Sequence, residues 1–568
     1  MLKKYNNIIN FIIIFLIIIA VNFISSKVHY RFDLTSDNRY TLKETTVEVL
    51  EELDDVIYFK IYLEGDLPLG LKRFQNRIKE TLEEFRVHAG ENIQYSFINP
   101  TSDRNQKERR AFFNDLKSRG LQPTNVKQRD KEGGYSQKII FPGAIVNYGE
   151  KQTAINLLKN NPGYSAAKNL NHSIQNLEYE LINAIYELSV EEKGKIAFIE
   201  GHNELDKYHV ADISNKLSGY YKVDRLNLKK KPQKIFEYKT LVIAKPSSEF
   251  SRKDKFFIDQ YVMNGGRIIW FIDKTTVTSD SLSRKSSTMA MLNEMNLDDM
   301  FFKYGVRFNP VLIKDMQCAV IPVNVSYSSD NPKFAPSPWM YYPLLSSANN
   351  HPINKSLNMI RTEFIGSIDT LAVKGQSKEI LLRTTENTEI VQAPVLVNLG
   401  EVSKKVNPAA LNGGKKIVSV LAEGEFQSVF KNRIIKELKK ELGDKKFRTK
   451  SLPTRMIFVS DGDVIKNEVT QRPDGTYISP LGYDKYTKQT YGNKNFVLNC
   501  IHYLTSEKDL ISIRGKEIKM RLLDKSKIKE QRLKWQVINI LIPVIFILIF
   551  GFVKNILRRR KYTVSNEK

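Results

Sequence analysis

The sequence VINILIPVIFILIFGFV, residues 537–553, decides how the chain is organised. As a helix, this uncharged and mostly apolar run spans about 25 Å, close to the hydrocarbon thickness of a bilayer. A membrane helix also absorbs the kink that Pro543 introduces. The alternative is a buried helix of a soluble core, but basic residues follow the run at once, at Lys554, Arg558, Arg559, Arg560 and Lys561. The pattern therefore predicts a transmembrane helix over 537–553 and a basic tail over 554–568.

A second apolar run, IINFIIIFLIIIAVNFI, covers residues 8–24 and follows two lysines. A cleaved signal peptide begins in the same way, but it normally ends in a small-x-small cleavage site. No convincing site of this kind lies around Ala20, Ser25 and Ser26. We therefore expect an uncleaved transmembrane helix over 8–24, with cleavage left open as the alternative.

The short tails predict on which side of the membrane the long loop between the two helices lies. Long translocated domains largely ignore the positive-inside rule, whereas short tails follow it. The N-terminal tail carries two lysines, and the C-terminal tail carries six basic residues against Glu567. Both termini are therefore predicted to be cytoplasmic, with the large loop on the outer face. A basic juxtamembrane stalk over 513–536 favours the opposite orientation.

Composition limits the classes of function. The chain has 568 residues, room for two or three domains, and a formal net charge of +25. Its lysines are scattered among acidic residues and accompany no recognised nucleic-acid motif, so we expect no nucleic-acid partner. Membrane lipid headgroups, an acidic partner or a merely solvated basic surface fit better. The two cysteines, Cys318 and Cys500, cannot build a disulfide framework or a cysteine-based zinc site, and their pairing is left open.

Residues 27–190 are predicted to form an N-terminal α/β domain. Thr41 and Glu44 have the spacing of a capping box at the start of its first helix. Strands over 56–63 and 93–100 enclose an amphipathic helix and make a βαβ unit. A further strand lies over 138–149, and a helix near residues 173–188 closes the domain.

Residues 194–315 are predicted to form a second domain, with a parallel sheet like that of flavodoxin or of glutamine amidotransferases. Apolar strands alternate here with single helices, which indicates a sheet covered on both faces. The strands are KIAFIEGHNE (195–204), KTLVIAKP (239–246) and RIIWFID (267–273). Residues 316–512 follow as a β-rich segment that also supplies the C-terminal part of this α/β domain. Within it, RMIFVSDGD (455–463) reads as one more buried strand that ends in acidic residues.

The carboxyl ends of these strands provide the best candidate site, since ligands of such sheets bind there. The ligand-binding candidates are Glu200, Gly201, His202, Asn203, Lys245, Asp273, Asp461 and Asp463. Glu200, His202, Glu204 and His209 match no known metal-ligand spacing, so no metal is predicted. The alternative is that these polar residues only cap strand ends and turns.

Sequence patterns for catalysis are missing. The nearest match to a nucleophile elbow, residues 163–166, lacks the final glycine and a preceding strand, and neither cysteine lies at such a turn. The segment 413–416 is too short for a P-loop, so an ATP-driven role needs another subunit. We therefore expect no catalytic residues, no cofactor and no enzymatic activity.

Several motifs, in order along more than 400 residues, carry a resemblance to a known family. They are RFDLTSDNRYTL (31–42), IYLEGDLP (61–68), IAFIEGHNE (196–204), AEGEFQSVF (422–430), FVSDGDVIKNE (458–468) and GNKNFVLNCIHYLT (492–505). With the two flanking apolar runs, the chain resembles the GldG family of gliding-motility-associated ABC transporter substrate-binding components, within the wider group of ABC-transport auxiliary proteins.

The resemblance implies a subunit anchored in a bacterial inner membrane with a periplasmic domain. Such a subunit works with a separate permease and a cytoplasmic ATPase, and supports gliding motility and envelope secretion by binding a substrate or an envelope partner. The family supplies no catalytic or ligand residues. Two alternatives remain open: an envelope hydrolase that uses Glu200 and His202, and a structural tether between membrane and wall.

Overall fold

The computed structural model describes residues 11, 13–19, 22, 41–102, 105–129, 135–159, 165–190, 193–324, 333–355, 357–443, 445–473, 475–505, 513 and 525–563. The chain divides into two units. One contains residues 40–516, and the other contains residues 1–39 together with residues 517–568.

The first part of the larger unit is a small α/β layer. In chain order its elements are α1 (Glu44–Glu51), β1 (Ile57–Ile61), α2 (Leu69–Ala89), β2 (Ile93–Phe97), α3 (Gln106–Ser118), β3 (Thr124–Arg129), β4 (Tyr135–Ile140), β5 (Gly143–Tyr148), β6 (Lys151–Asn156), α4 (Ala166–Gln175) and α5 (Leu177–Ser189). A four-stranded sheet has the order β2-β1-β5-β6, in which β1 and β2 are parallel and the other pairs are antiparallel. The apolar stripe of α2, which includes Phe74, Ile78 and Leu82, is fully buried in this layer.

The capping box predicted from Thr41 and Glu44 is wrong. Helix α1 begins at Glu44 with Lys43 as its N-cap, and that residue makes no side-chain capping bond. Instead, the carboxylate of Glu178 in α5 accepts hydrogen bonds from the Lys43 N–H at 2.8 Å and from the Thr46 hydroxyl at 2.9 Å. The Lys43 N–H, at the N-cap, is thus satisfied by a carboxylate 135 positions away, which no local pattern reveals.

Residues 195–505 form the remaining helices and strands of the larger unit. They are β7 (Lys195–Glu200), α6 (Ala211–Ser218), β8 (Lys222–Asn227), β9 (Thr240–Ala244), α7 (Arg252–Met263), β10 (Arg267–Phe271), α8 (Ser279–Arg284), β11 (Ser287–Ala290), α9 (Asp298–Lys303), β12 (Val306–Asn309), β13 (Val311–Asp315), β14 (Cys318–Asn324), β15 (Phe334–Ser347), β16 (Ile360–Arg361), β17 (Ser367–Thr370), β18 (Gln376–Arg383), β19 (Thr388–Gln392), β20 (Val395–Asn398), β21 (Ile417–Gly424), α10 (Lys436–Lys440), β22 (Thr454–Val459), β23 (Val469–Arg472), β24 (Gly475–Ile478), β25 (Tyr483–Asp484), β26 (Gln489–Thr490) and α11 (Asn493–Thr505).

In the described part of the chain, the main sheet has ten strands in the order β14-β15-β18-β21-β22-β10-β9-β7-β8, with β16 paired to β15. The five strands from β22 to β8 are parallel, and those from β21 to β14 extend the sheet in antiparallel pairs. A mixed α/β fold with parallel strands is therefore confirmed. The likeness to flavodoxin or amidotransferase domains and the domain boundaries at 190 and 315 stay predictions.

The parallel strands are buried on both faces, because alternate side chains enter two different cores. Trp270 of β10 packs on one face with Phe257 of α7. Phe271, the next residue, packs on the other face with Leu217 of α6 and Ile501 of α11. This double burial explains the continuous apolar runs of the strands.

The predicted membrane segments belong to the other unit. Helix α12 (Lys525–Thr563) is 39 residues long and includes Pro543. Its part from Gln531 to Arg560 is exposed, and it is long and apolar enough to cross a membrane. Phe11, residues 13–19 and Asn22 are helical, and the other residues of the predicted first span lie outside the described residues.

Cys318 and Cys500, whose pairing the sequence leaves open, are both free thiols in the described structure.

Candidate functional site

Four acidic and basic side chains meet at the carboxyl edge of the main sheet. Lys245 follows β9, Asp273 follows β10, and Asp461 and Asp463 follow β22. Strand β10 lies between β9 and β22, and all three are parallel, so their ends lie side by side. The Lys245 ammonium lies 2.9 Å from Oδ2 of Asp273 and forms a second ion pair with Asp463. We refer to these four residues as the Lys245 cluster.

Backbone hydrogen bonds hold the acidic members of the cluster in place. The Gly462 N–H donates to Oδ1 of Asp273, and the Asp463 N–H donates to Oδ1 of Asp461 at 2.7 Å. The other oxygen of Asp461 accepts from the Glu363 N–H at 3.0 Å. The cluster thus connects the parallel strands to the loop that follows β16.

The backbone at Lys245 is itself unusual. Its φ is +54°, in the left-handed region that non-glycine residues seldom occupy. A Cβ on Gly462 would lie 2.5 Å from both Cβ and Cγ of Lys245, so a glycine is required for this close approach. Such strained positions persist where the surrounding structure determines them strongly, and they concentrate at functional sites.

Burial and mutual charge set the protonation of the cluster. Burial raises the pKa of Asp461 well above its usual range, and the carboxylates of Asp463 and Asp273 raise it further. For Asp463, burial opposes ionisation, but the Lys245 ammonium outweighs it and the pKa is lowered. Burial disfavours the ammonium form of Lys245, yet Asp273 and Asp463 raise its pKa well above the ordinary value. The cluster is therefore built around the ion pair of Lys245 with Asp463, while burial and the neighbouring carboxylates disfavour ionisation of Asp461.

His202 is fully buried and has a separate set of side-chain contacts. Its Nδ1 lies 3.1 Å from Glu204 Oε1, and its Nε2 lies 3.1 Å from Asp254 Oδ2. The ring also stacks on Phe250, with 3.6 Å between centroids. Burial lowers the pKa of His202, but the two carboxylates outweigh burial and raise it. Both ring nitrogens are occupied by protein carboxylates, so neither is available to a substrate.

The remaining predicted candidates are Glu200, the last residue of β7, and two residues of the loop that follows it. Glu200 forms an ion pair with Arg225 of the neighbouring edge strand. Gly201 and Asn203 have φ values of +126° and +60°, and the amide of Asn203 donates to the Ser247 hydroxyl. These residues shape and hold the loop, which is the role that the capping alternative assigns to them.

The structure therefore separates the predicted candidates into two groups. Asp273 and Asp461 come together with Lys245 and Asp463, whereas Glu200 ends β7 and Gly201, His202 and Asn203 follow it. In the ranges that the structure describes, no group of three or more His, Cys, Asp or Glu residues is arranged to hold a metal ion.

Sequence reasoning missed a polar extension of the Lys245 cluster. Glu363, whose N–H bonds to Asp461, accepts a hydrogen bond from Ser279 and forms an ion pair with Arg361 at 2.9 Å. Ser279 also contacts the Tyr342 hydroxyl at 2.7 Å. Ser279, Tyr342 and Glu363 lie far apart in the sequence and share no local motif.

Comparison with known proteins gives matches to two parts of the chain. A family model described as "ABC-type uncharacterized transport system" matches residues 193–500, and a domain of unknown function, DUF7088, matches residues 36–147. No curated protein matches the chain. A solved structure, the "mmIFT52 N-terminal domain", matches with 12% identity, a TM-score of 0.31, and coverage of 55% of this chain and 98% of that chain; this similarity supports no inference about function. Because the transport-system match spans more than half of the 568 residues, the chain belongs to this family of ABC transporter auxiliary proteins.

Proposed function

We propose that the chain is a non-enzymatic subunit of an ABC transporter complex in a bacterial inner membrane, and that it supports gliding motility and envelope secretion. Its α/β body, on the periplasmic side, binds a substrate or an envelope partner, while both termini lie in the cytoplasm. Family membership supports the transport-associated role. The exposed apolar helix α12 supports membrane anchoring, and this helix is the observation that carries the proposal.

The partners are a separate ABC permease and a separate cytoplasmic ATPase. The sequence has no phosphate-binding P-loop, so ATP hydrolysis has to come from another chain. The apolar segment of α12 offers a surface for packing against the helices of a permease. Asn539 within it is a candidate contact, because polar groups inside a bilayer seek hydrogen-bond partners.

The geometry around His202 argues against the hydrolase alternative. A general base needs a free ring nitrogen within hydrogen-bond reach of the proton that it takes. Glu204 and Asp254 occupy both nitrogens of His202, and Glu200 is paired with Arg225. We therefore place partner binding, and no chemical reaction, at the carboxyl edge of the main sheet, with Asp273 and Asp461 as part of its framework.

Co-purification tests the proposal. A tagged full-length chain, extracted from its own membranes in mild detergent, is expected to retain a permease and an ATPase. A version lacking residues 537–568 serves as the control and is expected to lose both. If the full-length chain comes out alone under these conditions, the proposed assembly is wrong.

A genetic experiment distinguishes the proposed transporter subunit from the tether alternative. In a gliding host, loss of the ATPase is expected to stop motility as completely as loss of this chain. Motility that persists without the ATPase, but not without this chain, would support a mechanical tether instead.

A further inference from the structure

A cleft of about 700 Å³ opens beside the carboxyl edge of the main sheet. Lys274, the residue after Asp273, lines it, as does Glu249 from the loop after β9. Its apolar lining includes Leu292 and Phe302, whose side chains are 40% and 62% exposed. The cleft therefore lies where parallel sheets bind ligands, but it uses none of the residues predicted from the sequence.

An apolar strip continues from the cleft along the segment that leads into it. Met289 and Met291 are 49% and 48% exposed, and Leu292 follows them in the cleft wall. Met289 is directly opposite Leu396 in the antiparallel pair of β11 and β20, and Leu396 is 52% exposed. Large apolar side chains grouped on a surface mark interaction sites. Because the strip extends beyond the cleft, its occupant is longer than a small molecule.

The charges of the cleft are not balanced within it. Asp298 pairs with Lys274 at 2.8 Å, which neutralises both. Within the residues that the structure describes, Glu249 and Glu294 have no ion-pair partner, and Arg307 is the one lining cation left over. The cleft therefore has an excess of negative charge, on a chain whose net charge is +25. A cationic group is the complement of this arrangement.

We propose that the cleft and its apolar strip bind an extended peptide segment of a partner protein, one that carries apolar side chains together with lysine or arginine. Its cation lies beside Glu249 and Glu294, and its apolar side chains cover Leu292, Met289 and Leu396. This inference rests on the proposed role as a partner-binding subunit, and it names the surface and the chemistry of the partner.

Peptide binding to the purified full-length protein in detergent tests the inference. The probes are fluorescein-labelled peptides of about 12 residues, long enough to cover an extended strip. One alternates isoleucine with lysine, one isoleucine with glutamate, and one serine with lysine. Fluorescence anisotropy is read against detergent alone. The isoleucine–lysine peptide is expected to bind more tightly than the other two, and to weaken as salt is raised.

Two double variants locate the binding. Glu249→Lys with Glu294→Lys is expected to weaken binding of the isoleucine–lysine peptide about tenfold or more. The matched control, Glu48→Lys with Glu51→Lys, makes the same charge change at exposed positions of α1 and is expected to leave binding unchanged. If the two double variants weaken binding equally, the attraction is a general effect of charge and the inference is overturned.

A second pair of changes keeps the test valid if the charge variant does not fold. Met289→Ser with Leu396→Ser alters only exposed side chains and is expected to weaken binding several-fold. Binding that survives this change, or equal binding of the glutamate peptide, overturns the inference. So does sedimentation showing a wild-type dimer that the cleft variants dissociate, because a second copy would then be the occupant.

The same variants separate this inference from the proposed assembly. Cleft variants that lose the peptide but still co-purify with permease and ATPase support the cleft as a distinct site. Peptide binding with no co-purification contradicts the assembly alone. Co-purification of the wild type without peptide binding contradicts the cleft alone.

Discussion

The ammonium of Lys245 lies 2.9 Å from the carboxylate of Asp273, at the ends of two adjacent parallel strands. A second ion pair joins the same ammonium to Asp463, which follows β22. One lysine thus connects β9 and β10 to a residue 218 positions later in the chain. The stability of the sheet edge should therefore depend strongly on this side chain.

Replacement of Lys245 by methionine should be severely destabilising. It leaves buried carboxylates without their cation, which typically costs about 3–5 kcal/mol. Urea unfolding of the full-length protein in detergent, followed by tryptophan fluorescence, to which buried Trp270 on β10 contributes, measures the loss. Lys231→Met at an exposed position is the control and should change stability by less than about 0.5 kcal/mol. A loss below about 1 kcal/mol for Lys245→Met would show that the ion pairs do not hold the edge together.

Replacement of Gly462 by alanine should disturb the Lys245 cluster by steric contact alone. A Cβ there lies 2.5 Å from the Lys245 side chain, and such overpacking costs about 1–3 kcal/mol. The control is Gly194→Ala, whose Cβ would meet its nearest neighbour, Lys239, at 3.4 Å. Comparison of the urea midpoints measures both effects. Equal midpoints for the two variants would mean that the 461–463 turn moves away from Lys245 without cost.

The parallel sheet and the meeting of its strand ends could be predicted from sequence. Apolar runs that end in Lys245, Asp273 and Asp461 predict buried parallel strands, and the carboxyl ends of such strands share an edge. The apolar runs do not show the order of the strands in the sheet. Only the structure shows that β22 lies directly beside β10, which brings Asp461 near Asp273.

Contacts between distant segments explain most of what the sequence could not show. In the sequence, His202 is a candidate ligand because nothing shows that its ring already has partners. One of them, Asp254, lies 52 positions away and has no motif that links it to His202. The cleft was missed for a similar reason. Its apolar strip forms when β11 pairs with β20, and neither short strand has a periodicity that reveals an exposed face.

The stability of the protein should depend on pH through His202. Its folded-state pKa is raised above the ordinary value of 6.5, because its two carboxylate partners outweigh burial. The stabilisation is therefore complete below about pH 6.5 and is lost as the pH rises through the folded-state pKa. Urea unfolding across pH 4–9 measures this dependence, and His202→Gln should remove the loss of stability on the alkaline side of the profile.

His351 provides a contrasting control in the same experiment. Burial, with Arg455 and Lys355 nearby, lowers its pKa to about 4. This histidine should thus add stability as the pH rises from about 4 to 6.5, and His351→Gln should remove that rise. Identical pH profiles for the two variants would contradict the opposite pKa shifts of His202 and His351.

Membrane insertion should depend on the middle of α12. Phe546→Lys places a charge near the centre of the apolar run, at a cost of about 2.5–3.5 kcal/mol for insertion. In a version lacking residues 8–24, so that the first predicted span cannot anchor the protein, the fraction that resists alkaline carbonate extraction should fall. Ile556→Lys, beyond Lys554 in the basic part of the helix, is the matched control and should have little effect. Equal extraction of both variants would argue against a membrane span at this position.

The proposed orientation predicts which side of the membrane protease reaches. Protease added to intact spheroplasts should digest the large body, whereas inverted vesicles should protect it. The reverse pattern would place the body in the cytoplasm.

Helix α12 is longer than any bilayer requires. Its 39 residues extend for about 58 Å, roughly twice the thickness of a hydrocarbon core, and the apolar run accounts for less than half of that length. With residues 537–553 in the membrane, as proposed, the helical part before residue 537 extends about 18 Å beyond the lipid. Because the helix is continuous at residue 537, a tilt of its apolar half in the proposed arrangement also displaces the half that precedes it, without a hinge at the lipid surface.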